Sequence, residues 1–284
     1  MKNILKYILI LCLLFIMICY PKNIPVLGEN NTTLIFTFDD GPNGENTLEI
    51  LDYLESHNMS ATFFMVGNKM SNQKDLVKKV YNSNSEIGYH SYDHTLFTKN
   101  KIKNIINDFD KTNKIYYEIT KDYLSLTRPP YGEYNNKILK ELNTSFILWD
   151  KDTHDWKYKD TEFIVKYVLE NANDKDIILF HDSYKTTVKA VKKLIDILYE
   201  NNIKVLSVTN YAKENNIKLD TSITNIEVGN YIKALGLNGN IIYENNNKVF
   251  MLNVMVNKVV LNIRVHVYKF SKGDGDDVKR NKSK

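Results

Sequence analysis

Two adjacent carboxylates stand at the end of an apolar run, in the segment Thr37-Phe38-Asp39-Asp40-Gly41-Pro42. Residues 34–38 are rich in strand-forming side chains, and Gly41-Pro42 is typical of a turn. Neighbours in a regular strand face opposite sides, but a strand that ends at a turn can bring its last two carboxylates together. That contact is costly unless a cation or a proton-transfer role requires it. The alternative is an Asx-type turn that only begins a loop.

Two histidines four residues apart, His90 and His94, follow a second strand-like run at 85–89. On a helical turn this spacing lets both imidazoles face the same way, as two metal ligands do, although it also fits surface histidines. Together with Asp40 the pair gives a ligand set that can hold zinc or another divalent ion and leave positions for water. A non-haem iron triad uses the same ligand types and is a further alternative.

Three more segments carry groups that suit an active site. They are Arg128-Pro129-Pro130-Tyr131-Gly132, Asp152-Thr153-His154-Asp155-Trp156 and Ile177-Ile178-Leu179-Phe180-His181. An arginine before a rigid turn can pair with a carboxylate, and backbone N–H groups after the prolines can face an anion. Taken singly, Arg128 also fits a surface ion pair, and His181 also fits a capped loop histidine.

In chain order the five segments contain TFDDGP, HSYDH, RPPYG, DTHDW and LFH. This series resembles the motifs of the polysaccharide deacetylase family, the NodB-homology domains of carbohydrate esterase family 4. The resemblance covers about residues 33–211. It implies an α/β fold of the distorted (β/α)7-barrel type and an enzyme that hydrolyses the N-acetyl groups of a polysaccharide.

The resemblance also implies how the first three motifs act. Asp40, His90 and His94 would bind the metal, for which Zn²⁺ is the expected ion and Co²⁺ or another divalent ion is the alternative. Asp39 would be the general base that takes a proton from water. Arg128 would keep Asp39 ionised and oriented, because an adjacent cation favours the charged carboxylate.

The remaining motifs would supply the acid and the substrate pocket. His181 would protonate the departing amine, and Asp155 would steady its imidazolium. The backbone N–H of Tyr131 would help to stabilise the oxyanion. Trp156 and Leu179 would wall a small apolar pocket for the acetyl methyl group, although both side chains also fit ordinary core packing.

The elements that must position these groups alternate along the chain. Strand-like runs occur near 33–38, 60–66, 85–89, 145–149, 176–181 and 203–208. Helix-like stretches occur near 46–57, 73–82, 100–119, 160–172 and 184–200. This alternation predicts a parallel sheet or barrel with its catalytic groups at the C-terminal strand ends. Six or seven strands fit an incomplete barrel better than a regular eightfold one.

The N-terminal residues 1–28 have the pattern of a targeting segment, with an uncharged apolar run at 7–20 after two lysines. They predict either a signal peptide cleaved after Gly28 or an uncleaved membrane anchor. The protein is therefore expected to be exported, either to the outer face of the membrane or to the cell wall. Both cysteines, Cys12 and Cys19, lie in this segment, so the exported part has no disulfide.

The rest of the chain is nearly neutral and divides into three predicted regions. Without the three lysines of residues 1–28 it has 35 basic and 34 acidic residues, and it shows no basic stripe that would predict a nucleic-acid partner. The regions are a catalytic domain at 29–213, a β-rich appendage at 214–270 with a hairpin predicted around 257–258, and a disordered tail at 271–284.

The predicted function is metal-dependent hydrolysis of the N-acetyl group of N-acetylglucosamine in a cell-surface polysaccharide, with release of acetate. Peptidoglycan is the expected polymer, because an exported domain meets it first. Chitooligosaccharide and acetylated xylan are alternative substrates. A catalytically silent sugar-binding relative is the alternative from another class of protein, but such a module has no use for a base, an acid and an open metal site together.

Overall fold

The computed structural model describes residues 32–219 and, beyond them, the backbone of four strands at 223–224, 238–244, 247–256 and 259–266. The predicted signal peptide or anchor at 1–28 and the predicted tail at 271–284 lie outside the described residues. The chain divides into two compact units, Met1–Glu227 and Val228–Lys284.

Among the described residues, nine strands form the sheet of the first unit. They are β1 (Thr33–Gly41), β2 (Thr62–Met65), β3 (Glu86–Tyr89), β4 (Leu126–Thr127), β5 (Ser145–Ile147), β6 (Lys151–Asp152), β7 (Ile177–His181), β8 (Lys204–Leu206) and β9 (Ile223–Thr224). Their order is β6-β7-β1-β2-β3-β4-β5-β9, and β8 pairs with the start of β1. Every pair is parallel.

Helices follow most strands, as parallel connections require. They are α1 (Glu45–Ser56), α2 (Gly67–Asn72), α3 (Lys74–Tyr81), α4 (Ile102–Thr120), α5 (Asn136–Leu142), α6 (Asp155–Tyr158), α7 (Thr161–Asn171), α8 (Lys185–Glu200) and α9 (Val208–Glu214). The alternation and the parallel sheet confirm the predicted distorted (β/α)7-type barrel. None of the described helices is both long and apolar enough to cross a membrane.

The alternation of side chains along β1 separates two layers of the core. Phe36 and Phe38 face the helices, and the ring of Phe38 stacks on Phe63 and Phe180 with centroids 5.0 and 5.5 Å apart. The intervening residues face the barrel interior, where Ile35 belongs to a second buried cluster. Asp39 lies two pleats further along this inner face, so strand geometry directs its carboxylate into the barrel.

The two compact units divide after Glu227, and the boundary at 213 stays a prediction. The helix α9 continues to Glu214, and β9 is paired with β5 in the main sheet. The second unit contains an antiparallel sheet of β10 (Asn238–Glu244), β11 (Asn247–Val256) and β12 (Val259–His266). The antiparallel pairing on either side of 257–258 confirms the predicted hairpin, and the sequence did not predict β10. The assignment of the units as catalytic domain and appendage stays a prediction.

Candidate active site

The end of β1 turns both of its carboxylates toward one place. The pairing with β2 shifts in register between Asp39 and Gly41, and Asp40 takes a left-handed conformation with φ 70°. Asp39 Oδ2 and Asp40 Oδ1 consequently lie 3.7 and 3.5 Å from the same atom, His90 Nε2. The bulge therefore brings the two carboxylates together, as the sequence predicted for the end of this strand. In a regular strand the two side chains would face opposite sides.

His90 and His94 lie on the loop that leaves β3 and face Asp40. His90 is buried, and its Nδ1 donates to the carbonyl of Arg128 at 2.7 Å, which leaves Nε2 to face the carboxylates. His94 has φ 56°, and its Nε2 lies 3.2 Å from Asp40 Oδ1. One ligand atom from each of Asp40, His90 and His94 falls within 4.8 Å of the others. The three predicted ligands thus form one cluster.

The cluster has the chemistry of a divalent-metal site. Asp40 Oδ1 is buried and accepts no well-formed hydrogen bond. Burial raises the pKa of Asp40, but contact with His90 and the charges of His90, His94 and His181 outweigh it and hold the pKa well below its usual range. Burial lowers the pKa of His94 and so favours its neutral form. An ionised carboxylate and neutral imidazole nitrogens are the ligand forms that a metal needs.

Arg128 holds Asp39 from inside the barrel. The guanidinium is fully buried, and its Nη1 donates to Asp39 Oδ1 and to Thr37 Oγ1, both at 2.8 Å. Its Nε and Nη2 donate to the carbonyls of Ile147 and Leu148 at 3.1 and 2.9 Å. Burial lowers the pKa of Arg128, and Asp39 opposes that change. The pair is therefore a buried, hydrogen-bonded ion pair that fixes one carboxylate oxygen and leaves Oδ2 toward His90.

Asp155 holds His181 in the same manner. His181 Nδ1 lies 2.7 Å from Asp155 Oδ1, and the His181 backbone N–H donates to Asp155 Oδ2 at 2.7 Å. Trp156 N and Thr187 Oγ1 also donate to this fully buried carboxylate, each at 2.8 Å. Burial lowers the pKa of His181, but the hydrogen bond and charge of Asp155, with smaller contributions from Asp39 and Asp40, raise it to about 9. The imidazole therefore stays protonated at neutral pH.

These groups open onto a cleft of about 360 Å³. It is lined by Asp39, Asp40, His90, His94, Tyr131, Trp149, Asp152, Trp156, Leu179 and His181. Eight of the ten predicted site residues line the cleft directly, and Arg128 and Asp155 support it from behind. Leu179 is buried, whereas Trp156 and Tyr131 are exposed at 47% and 65% and so form part of the cleft's outer wall.

The structure adds two residues to the cleft wall, Trp149 and Asp152, for which the sequence predicted no role. Gly132, with φ +70°, makes room for the first: a Cβ at this glycine would lie 2.9 Å from Trp149 Cη2. The signal for Trp149 was its position at the end of a strand-like run, where the sequence places other active-site groups. Asp152 opens the DTHDW motif that also carries Asp155.

Comparison with known proteins gives the same result as the motifs. A family model described as polysaccharide deacetylase matches residues 28–145. The peptidoglycan-N-acetylglucosamine deacetylase PgdA of Listeria monocytogenes is 37% identical over 164 residues, which are 58% of this chain and 35% of the relative. A peptidoglycan-N-acetylglucosamine deacetylase of Bacillus cereus is 34% identical over 177 residues, which are 61% of this chain and 83% of the relative.

A solved structure extends the likeness to the fold. The peptidoglycan deacetylase PdaC from Bacillus subtilis superimposes with a TM-score of 0.64 at 29% identity, covering 72% of this chain and 96% of that one. The chain belongs to the polysaccharide deacetylase family, a family of hydrolases, as the five motifs predicted. It spans about a third of the length of the Listeria relative.

Proposed function

We propose that this protein is a metal-dependent N-deacetylase that removes acetyl groups from N-acetylglucosamine residues of peptidoglycan and releases acetate. The observation that carries the proposal is the meeting of three groups in one cleft: the ligand cluster of Asp40, His90 and His94, the carboxylate of Asp39, and the imidazole of His181. A hydrolase of amides needs these three functions together, namely an electrophile, a base and an acid.

Asp39 acts as the general base in this proposal. Its Oδ1 is occupied by Arg128, so Oδ2, on the side of His90, is the oxygen that accepts a proton from the attacking water. Arg128 pairs with this carboxylate and fixes its direction. When bound by Asp40, His90 and His94, a divalent cation would polarise the acetyl carbonyl and make a nearby water more acidic. Zn²⁺ is the ion we propose, and Co²⁺ has the same ligand preferences.

His181 acts as the general acid. It is protonated below about pH 9, so at neutral pH it carries the proton that the departing amine requires. Asp155 keeps Nδ1 engaged and thereby turns Nε2 toward the cleft. We further propose that the backbone N–H of Tyr131 donates to the oxyanion and that Trp156 and Leu179 enclose the acetyl methyl group, since all three residues line the cleft.

Peptidoglycan is the proposed polymer because the Listeria, Bacillus cereus and Bacillus subtilis relatives bear that word in their names. This implies action outside the membrane, in keeping with the targeting pattern of residues 1–28. Two routes of export give different products. An uncleaved anchor leaves full-length protein in the membrane fraction, whereas cleavage after Gly28 gives a mature N-terminus at Glu29. A cytoplasmic form that begins at Met1 would contradict both.

Acetate release tests the proposal directly. The purified protein, loaded with Zn²⁺, is incubated with N-acetylated peptidoglycan, with chitooligosaccharide and with acetylated xylan, and free acetate is measured. We expect release from peptidoglycan, at a rate that falls sharply in the Asp39→Asn variant. Faster release from either of the other polymers would mean that this polymer, and not peptidoglycan, is the substrate. Binding of the glycans without acetate release from any of them would favour the catalytically silent relative.

A further inference from the structure

Three polar side chains outside the five motifs form a connected group beneath the metal ligands. They are Lys69 on α2, Asn43 on the loop after β1, and Asp182 directly after His181. None of them lines the cleft, so none is available to touch a substrate there. Their contacts are instead with the backbone and with each other, so they are placed to hold other groups in position.

The backbone carbonyl of Asp40 is the point on which two of them converge. Lys69 Nζ donates to this oxygen at 2.7 Å and Asn43 Nδ2 donates to it at 3.1 Å. Lys69 Nζ also donates to Asn43 Oδ1 at 2.8 Å, so the two donors support each other. Asp40 is in the left-handed region, which is disfavoured for a residue with a Cβ and persists only when its surroundings fix it.

The helix that carries Lys69 is attached to the loop of the other two ligands. The backbone N–H groups of Gly67 and Asn68, in the first turn of α2, donate to the carbonyls of Ser91 and Tyr92, both at 2.9 Å. Ser91 and Tyr92 lie between His90 and His94. The short helix α2 is therefore a bridge: its backbone holds the loop of the two histidines, and its lysine holds the backbone of the aspartate.

Asp182 ties the same group to the strand of the general acid. It is fully buried, its Oδ1 accepts from Asn43 Nδ2 at 2.5 Å, and its Oδ2 accepts from Thr47 Oγ1. The approach is close enough to need a glycine, because a Cβ at Gly41 would lie 2.9 Å from Asp182 Oδ2. The contact between Asp182 and Asn43 thus joins the end of β7 to the turn after β1.

We propose that Lys69 and Asn43 are positioning residues of the metal centre, which hold the Asp40 backbone so that its carboxylate meets His90 and His94. The inference rests on the proposed function only in that the three ligands bind a divalent metal. Groups that orient metal ligands from behind typically contribute 10–100-fold to metal affinity, so loss of either donor should weaken binding by roughly 10-fold or more.

The test is the affinity of the full chain for Zn²⁺, measured by competition with a chromophoric chelator on metal-free protein. Lys69→Met removes the ammonium donor and keeps the apolar stem. Lys79→Met is the matched control, because Lys79 forms only a surface ion pair with Asp52 at 2.6 Å. Asn43→Ala removes the second donor. The thermal unfolding midpoint of each metal-free protein is measured alongside, so that loss of metal affinity is separated from loss of fold.

We expect both variants to raise the Kd for Zn²⁺ roughly 10-fold or more. The metal-free midpoint of Lys69→Met should be close to that of Lys79→Met. That of Asn43→Ala should be lower, because this change also removes a donor from the buried Asp182, but its loss of affinity should exceed what the lower midpoint explains. An unchanged Kd in the folded variants would overturn the proposal. So would a fall in affinity only in proportion to a fall in the midpoint, since that describes a purely structural role. If one variant does not fold, the other decides. Wild-type protein that binds Zn²⁺ but releases no acetate would refute the proposed function and leave this inference intact.

Discussion

Replacing Asp155 with asparagine separates the proposed proton-donor role of His181 from the rest of the site. Asp155 accepts two hydrogen bonds from His181, one from its ring and one from its backbone, and is fully buried. It is the largest of the influences that raise the pKa of His181, from 6.5 to about 9, while burial acts in the opposite direction. The amide keeps the size of the side chain but carries no charge. The pKa of His181 should therefore return to its ordinary value or fall below it.

The size of the effect follows from those two pKa values. A change from about 9 to about 6.5 corresponds to roughly 3 kcal/mol of interaction with the imidazolium. At about pH 8, a group with pKa near 9 is about 90% protonated, and one with pKa near 6.5 is about 3% protonated. The fraction of enzyme with a loaded general acid should accordingly fall about 30-fold at that pH. Below about pH 6 the two enzymes should differ much less.

The assay is the pH dependence of kcat/KM for acetate release, because that profile reports the pKa values of the free enzyme. The basic limb should lie at or somewhat below pH 9 in the wild type, and near or below pH 6.5 in Asp155→Asn. Both are compared at full metal occupancy, since a bound cation offsets the smaller contributions of Asp39 and Asp40. Asp160→Asn is the control, because this exposed residue caps α7 through Phe163 N at 2.8 Å and an amide also caps. A basic limb in Asp155→Asn that stays where it lies in the wild type would refute the assignment.

Four further predictions concern the base, its partner, the metal and one of the metal's proposed ligands. Asp39→Asn should retain bound metal while kcat falls roughly 10²–10⁴-fold, and near-normal turnover would reduce Asp39 to a turn residue. Arg128→Met should lower the free energy of unfolding by about 3–5 kcal/mol in urea denaturation, because it strands a buried carboxylate; a loss below about 1 kcal/mol would contradict the buried ion pair. A strong chelator should abolish acetate release and Zn²⁺ or Co²⁺ should restore it, and full activity in the chelator would end the metal hypothesis. His94→Ala should lose metal by elemental analysis and keep the fold by circular dichroism, since strand-end ligands do not hold the core together.

The strands that carry the site could be predicted because each has a long apolar run and ends at a motif. The runs predicted near 33–38 and 176–181 correspond to β1 and β7. The short strands β4, β6 and β9 have two residues each, too few to show a period of two, and their place in the sheet depends on their neighbours. The four-residue helix α6 was missed for the same reason, since one turn has no helical periodicity.

The groups that line the cleft could be predicted, and so could Arg128 and Asp155 behind it, whereas Lys69 and Asn43 could not. The paired aspartates and the spaced histidines carry their chemistry in their residue types. Lys69 has an ordinary type in an ordinary helix, and its function depends on a contact with a carbonyl 29 residues earlier. Asn43 likewise acts on the Asp40 backbone and on a carboxylate 139 residues away. No local pattern reports the two long-range contacts, because they exist only once β1 lies between β2 and β7.

Backbone conformation gives the reason why this site needs support from behind. Several non-glycine residues of the motifs have positive φ, namely Asp40, Ser91, His94, Tyr131 and His154, with φ between 56° and 70°. Each such residue is disfavoured by about 1 kcal/mol or more, so a free loop would relax and turn its side chain away. The proposed metal ligands can stay assembled before any cation arrives only if other contacts hold these conformations. At Asp40 the donors are Lys69 and Asn43, and this is why metal affinity, rather than turnover alone, is the quantity that their removal should change.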